Sequence, residues 1–191
     1  MARTRLSRSD RYDQLVEVSW ALVRAEGADA LTLGRLAEHA GVAKPVVYSH
    51  FASRAELLAA LFTEFDDRQT VMLEESLDSS AASLDGRARA IADSYVGCAL
   101  AQGRELTGVL AALEGSPELE QVKRSAERAY SERCRSILEP YCPSGEIPAP
   151  SITAIFGAAE ALSQAAVSGS LKPEEATGEL AELISAVVGK A

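Results

Sequence analysis

Residues Thr32 to Phe51, TLGRLAEHAGVAKPVVYSHF, decide the fold of this chain. Leu33, Leu36, Ala37 and Ala40 recur at helical spacing, and Thr32 stands just ahead, where its hydroxyl accepts from an otherwise orphan backbone N–H. Gly41 follows the apolar run, at the point where a left-handed residue ends one helix and redirects the chain without a Cβ clash. Val42 plugs the corner. From Ala43 the pattern restarts, and Pro45 fits a first helical turn, where its missing N–H removes no bond. Val47 and Phe51, four apart, face inward, which leaves Lys44, Tyr48, Ser49 and His50 on the outer surface. Two short helices joined at a glycine, the second with a polar and aromatic outer face, are the layout of a helix-turn-helix DNA reader.

The stretch resembles the TetR-like (TetR/AcrR) transcriptional regulators, whose pattern is a glycine-hinged helix pair ending in Tyr-x-His/Tyr-Phe with a basic residue beyond. Here that ending is Tyr48-Ser49-His50-Phe51, followed by Ser53-Arg54-Ala55-Glu56-Leu57-Leu58, and the resemblance spans residues 10–60. It implies that Lys44, Pro45, Val46, Tyr48, Ser49 and His50 lie against the major groove or its phosphates. It also implies that Arg54 and the start of the second helix, Thr32, Gly34 and Arg35, grip the DNA backbone. Two positions depart from the pattern. Ala43 stands where the family often has a capping serine, and Gly34 where a longer side chain often reaches DNA. On residue type alone Tyr48 and His50 would serve equally to close a small helical core, and His39 reads as a solvent-facing helix residue.

With 191 residues and 47% apolar content the chain has material for a sizeable core. Aromatics are only 5%, alanine and leucine abound and β-branched runs are scarce, so the expected fold is all-α. No stretch approaches the roughly 20 apolar residues of a membrane span. The N-terminal MARTRLSRSD has arginines but no apolar core of a secretory signal, so a cytoplasmic protein with no membrane partner is expected. Cys98, Cys134 and Cys142 lack the spacing of a zinc site or a paired disulfide framework, so no metal and no cofactor is expected.

The net charge of −9 looks unsuited to DNA, where Lys and Arg supply much of the affinity. Its distribution removes the conflict: residues 1–60 hold eight Lys/Arg against seven acids, and the remainder carries −10. Arg3, Arg5, Arg8 and Arg11 form a basic arm that could follow phosphates or be a solubilising tail.

About nine helices are expected. Ser9 or Asp10 caps the first, which runs toward Glu26 with Trp20 as a packing residue, and Gly27 ends it. Ser53 caps a fourth helix over 53–77 that connects two domains, an arm with the helix-turn-helix at 1–52 and a helical ligand-binding and dimerisation domain at 53–191. Residues 78–86 read as a linker, Asp85 caps the next helix, and Gly103 interrupts before a run from Leu106 to Leu113. Pro117 opens a charged amphipathic helix with Leu119, Val122, Ala126, Ala129 and Cys134 on one stripe. A proline-rich loop follows, Ser151 caps a helix to Ser168, and Pro173 begins the last.

The last two helices carry small and apolar residues suited to close approach. The family resemblance implies a four-helix dimer interface there, with Ile155, Ala158, Leu162, Leu180, Leu183, Ile184 and Val187 as candidates; a bundle core explains them equally. Tyr95, Cys98, Leu110, Leu113, Tyr130, Cys134 and Phe156 are the residues most able to line an apolar ligand pocket, with ordinary core packing as the competing reading. Glu105, Glu114 and Glu160 could select a cation. The expected function is a homodimeric DNA-binding repressor on a pseudo-palindromic operator, released by a small-molecule inducer. The alternative is a helical protein-interaction module without specific DNA binding. An enzyme fails on spacing: no nucleophile elbow, phosphate loop, zinc pattern or dinucleotide fingerprint occurs, and both histidines lie inside the reader.

Overall fold

The computed structural model describes residues 6–113 and 116–191, with the backbone alone at Arg104 and Leu106. Every regular element among them is helical: α1 (Arg8–Glu26), α2 (Leu33–Ala40), α3 (Lys44–Tyr48), α4 (Arg54–Ser79), α5 (Leu84–Leu113), α6 (Pro117–Leu138), α7 (Ala149–Ser168) and α8 (Pro173–Val188). Single 3-10 turns lie at Ala28–Ala30 and Glu139–Tyr141. Gly103 interrupts α5 with φ 61 and ψ −146, so α5 is two helices across a kink, as the sequence suggested. No helix among the described residues is long and apolar enough to cross a membrane. The chain forms two compact units, one running to Glu64 and joined by Arg104–Lys123, the other Phe65–Gly103 with Arg124–Ala191. These lines fall inside α4 and at the Gly103 kink, away from residue 52. Capping signals mark where helices start, whereas compactness follows what each helix buries.

In the first unit α1 begins one turn earlier than expected. Ser7, and not Ser9 or Asp10, is the cap: Ser7 Oγ accepts from the Asp10 N–H at 3.0 Å while Asp10 Oδ2 accepts from the Ser7 N–H at 3.3 Å. Asp10 is thus the reciprocating third residue of a capping box. Trp20 is buried, and its Nε1 donates to Glu64 Oε2 at 2.8 Å, which fixes α1 against α4. α2 starts at Thr32, whose Oγ1 accepts from the Arg35 N–H, and buries Leu33, Leu36 and Ala37. Gly41 ends it at φ 63, ψ 35, and the Val42 N–H reaches back to the Ala37 carbonyl at 3.0 Å. α3 follows after only three residues, with Val47 and Phe51 buried. The Arg104–Lys123 segment is held here by an Arg24 Nε–Glu105 Oε1 pair at 3.0 Å.

In the second unit the linker shrinks to residues 80–83, because α4 persists to Ser79. Ser83 Oγ accepts from the Gly86 N–H, so Ser83 is the cap of α5; Asp85 lies inside the first turn and accepts from Ser185 Oγ at 2.8 Å. α7 likewise starts before Ser151, at Ala149 after Pro148, whose fixed φ pre-shapes a helix start. On α6 the buried line runs through Tyr130, Cys134 and Leu138, while Val122 is 37% exposed and Ala129 also faces out. Leu119 and Cys134 of the expected stripe are buried and Ala126 is half-buried, whereas Val122 and Ala129 give way to Tyr130 and Leu138, whose larger side chains bury more area. α7 and α8 pack on each other.

Candidate nucleic-acid interface

The turn at Gly41 sorts side chains by face. Val47 and Phe51 are 0% and 1% exposed, whereas Tyr48 is 55% exposed and Lys44, Pro45 and Ser49 are exposed beside it. An exposed tyrosine of that extent offers a flat apolar ring and a hydroxyl to a partner. Val46 and His50 are half-buried. Ser49 Oγ donates to the Val46 carbonyl at 2.7 Å, closing the last turn of α3. No side chain caps the first turn of α3, where Ala43 sits.

Lys44 reaches back over α2. A Cβ placed on Gly34 would lie 3.9 Å from Lys44 Cε, 4.0 Å from Lys44 Nζ and 3.9 Å from Thr32 Oγ1. Thr32, Gly34 and Lys44 therefore share one spot on the surface. At that spot the start of α2 points N–H groups outward with an ammonium alongside, an arrangement that favours a phosphate.

His50 packs its ring 6.3 Å from Tyr12 and 6.3 Å from Phe51. Burial, with Arg8 and Arg11 adding repulsion, holds the imidazole below its usual proton affinity. His39 faces solvent, with Nδ1 on the Arg35 carbonyl and Nε2 3.3 Å from Glu26 Oε1.

Two expected backbone contacts have other employment. Arg54 does not project toward a duplex: its Nε donates to the Leu31 carbonyl and its Nη2 to the Ala28 carbonyl, both at 2.8 Å. The guanidinium thereby gives the Leu31 carbonyl a donor and adds a second bond to the Ala28 carbonyl, which also accepts from the Leu31 N–H, a role its sequence position after Ser53 did not reveal. Arg35 is exposed but ion-paired, Nη2 with Glu26 Oε1 at 2.5 Å and Nη1 with Glu38 Oε2 at 3.0 Å. These bonds lower the Glu26 carboxyl's proton affinity and raise that of Arg35. Arg3 and Arg5 lie outside the described residues.

Of the expected pocket residues, Tyr95, Tyr130 and Phe156 pack on one another with ring centroids 6.0–6.1 Å apart. The Tyr130 hydroxyl is 3.3 Å from Ser94 Oγ, and Cys134 and Cys98 are buried. Burial pushes the Cys134 thiol up to about 12 and both tyrosine hydroxyls above their usual range. These side chains pack together in the core of the second unit, the arrangement that the competing core reading expects. Leu110 and Leu113 belong to the first unit, not to this cluster, and Leu113 is fully buried. Glu105 is engaged by Arg24, Glu160 is exposed on α7, and Glu114 lies outside the described residues. Among the described residues no group of three His, Cys, Asp or Glu side chains is placed to hold a metal, and no disulfide occurs.

The expected dimer set divides. Ile155, Leu180 and Ile184 are at most 2% exposed within the protomer and are core, unavailable to a partner. Ala158, Leu162, Leu183 and Val187 are half-buried at the margin, next to exposed Ala154, Gly157 and Ala161.

Residues 15–61 match the model of bacterial regulatory proteins of the tetR family. Over 91 residues the chain is 30% identical to the HTH-type transcriptional activator FasR of Mycolicibacterium smegmatis, a match covering 48% of this chain and 41% of that protein. The chain thus aligns with less than half the length of this relative. A TetR-like transcriptional regulator from Rhodococcus sp. has a similar fold, with TM-score 0.74 at 22% identity over 94% of this chain and 96% of that one. So does the regulator FadR from Bacillus subtilis, solved in complex with stearoyl-CoA, with TM-score 0.76 at 21% identity over 93% and 98% of the two chains. Residues 15–61 thus carry a helix-turn-helix that matches the tetR family, on an all-α fold similar to those of solved TetR-like regulators.

Proposed function

We propose that the protein is a homodimeric transcriptional repressor that holds a pseudo-palindromic operator and leaves it when a small molecule binds. The observation that carries DNA binding is the sorting at the Gly41 turn: Tyr48 and Lys44 stand exposed on a helix whose other face, Val47, is fully buried. Lys44, Pro45, Tyr48, Ser49 and His50 read the groove, and Thr32, Gly34 and Lys44 bind phosphate. A two-fold dimer sets two such helices roughly 34–36 Å apart, one turn of duplex. The margin of α7 and α8, Ala158, Leu162, Leu183 and Val187 with Ala154 and Gly157, supplies the contact.

The test is selection of bound duplexes from a random pool, followed by the Tyr48→Ala variant. Specific retention should fall about 5- to 150-fold, the equivalent of about 1–3 kcal/mol for a base-reading contact, with the dimer intact by sedimentation. Equal retention by variant and wild type leaves the interaction-module reading in its place.

An inducer must favour the DNA-released form, and reciprocity requires operator and inducer to weaken each other equally. The FadR neighbour, solved with stearoyl-CoA, makes a fatty acyl thioester the first probe. Operator release by stearoyl-CoA, absent with coenzyme A alone, is the expected result. The FasR match favours activation as a second reading. A promoter fusion carrying the selected operator decides it, because deletion of the gene raises output from a repressed promoter and lowers it from an activated one.

A further inference from the structure

The end of α1 meets α2 through one carboxylate that serves two basic side chains. Glu26 Oε1 accepts from Arg35 Nη2 at 2.5 Å and lies 3.3 Å from His39 Nε2. Arg35 Nη1 is paired in addition with Glu38 Oε2 at 3.0 Å. Arg35 leaves the backbone in the first turn of α2, where its N–H is capped by Thr32 Oγ1, so it starts from the same end of the helix as the Thr32, Gly34 and Lys44 spot. Carboxylates here occupy the guanidinium donors that phosphate oxygens would otherwise take. The contact is an internal competitor for an anion.

His39 is placed to disturb that hold. Its Nδ1 lies 3.1 Å from the Arg35 carbonyl, one turn earlier on α2, while Nε2 faces Glu26. Both ring nitrogens therefore face oxygens. A neutral imidazole has one N–H for the two, and an imidazolium has one for each. Two carboxylates against one guanidinium leave the cluster with one net negative charge, and a proton on His39 cancels it. Glu26, held below its usual proton affinity first by its bond from Arg35, also feels the charge of His39. Of the other charged groups on elements around α2, Arg24 of α1 pairs with Glu105, Lys44 of α3 lies beside Gly34, and Arg54 of α4 is turned onto the Ala28 and Leu31 carbonyls. Asp29 is carried by the 3-10 turn between α1 and α2.

We propose that Glu26 restrains Arg35 from duplex DNA and that protonation of His39 eases the restraint by drawing on the same carboxylate, so that DNA binding is coupled to proton uptake at a residue that does not read DNA. This rests on the DNA-binding reading above and adds to it a pH-sensitive regulation. The sign follows from the charges: acid adds a cation, loosens the grip on Arg35 and tightens binding. Imidazole is the side chain whose charge changes between about pH 5 and 8, and Glu26, with its lowered proton affinity, stays ionised across that window.

The test uses the full chain and a duplex selected by the wild type, with affinity measured from about pH 8 down to about pH 5.5 at fixed ionic strength. On acidification the wild type should gain about 2- to 5-fold more affinity than His39→Gln, the scale of one exposed charge pair. His50 is the same in both, so its titration cancels. Glu26→Gln should bind more tightly than the wild type at the upper pH, with the slope of log affinity against log salt steeper by about 0.9 for one more phosphate neutralised. Adding His39→Gln to Glu26→Gln should then change nothing. Arg35→Gln, which removes the restrained group itself, should erase the His39→Gln difference as well and gives the same reading from the other partner. Equal acid gains in wild type and His39→Gln overturn the proposal, as does wild-type affinity in Glu26→Gln. So does a His39→Gln effect that persists without Glu26, because His39 would then act on DNA by its own charge. If the wild type selects a duplex and His39→Gln keeps the full acid gain, the DNA-binding reading stands and only the restraint falls; if the wild type retains no duplex, both fall.

Discussion

The α2–α3 turn and the α7–α8 pair place apolar residues at the same helical spacings and put them to opposite uses. In the turn, the inward pair Val47 and Phe51 is buried, Lys44, Pro45, Tyr48 and Ser49 are exposed, and Val46 and His50 lie half-buried between them, so one short helix has an inside and an outside. In α7 and α8 the apolar residues are too many for one line. Ile155, Leu180 and Ile184 fill the protomer core, while Ala158, Leu162, Leu183 and Val187 stop at its margin. A narrow stripe specifies its face; a broad one leaves the division between core and partner to the packing around it.

The sharpest way to break that division is in α8. Ile184→Ala removes a fully buried side chain, and a loss of about 2–5 kcal/mol of unfolding free energy is expected from transfer and cavity terms. Val187→Ser, one turn on and half-exposed, should cost far less in the protomer and act on self-association. Denaturant unfolding compared with sedimentation reads the two effects separately; a weaker effect at 184 than at 187 on stability would reverse the assignment.

A smaller effect tests the reader's frame. Arg54→Ala removes the charged donor to the Leu31 and Ala28 carbonyls, the second of which keeps its bond from the Leu31 N–H, so stability should drop by about 1–3 kcal/mol, the scale of a hydrogen bond to a charged group. Its salt slope on DNA should stay at the wild-type value. A reduced slope with undiminished stability would return Arg54 to the duplex.

The smallest effect concerns His50. Its proton affinity is lowered in the folded chain, chiefly by burial, so the fold disfavours the imidazolium. That contribution to stability is full above the ordinary value of 6.5 and is lost as pH falls through 6.5 toward the folded value. His50→Gln should flatten this acid limb in urea midpoints measured across the range; an unchanged limb would place the titration elsewhere.

Much of the candidate interface was legible before any coordinates. Thr32 as cap, Gly41 as a left-handed stop, Pro45 in a first turn and the inward Val47/Phe51 pair are all set by neighbours within one or two turns. Arg54 was not legible, because the carbonyls it satisfies lie 23 and 26 residues earlier in the chain. Nor was Ser7 over Ser9 and Asp10, where three candidate caps compete within four residues and reciprocity decides.

The sequence by itself determined that the described residues are helical, that Gly27 and Gly41 end the first two helices, and that a turn at Gly41 presents Lys44 and Tyr48 outward, because capping, glycine conformation and helical periodicity act over a few residues. Tertiary structure decided that Ile155, Leu180 and Ile184 are core, that Tyr95, Tyr130 and Phe156 fill space together, and that Arg54 turns inward. Each of those outcomes depends on a partner far along the chain, which local spacing does not encode.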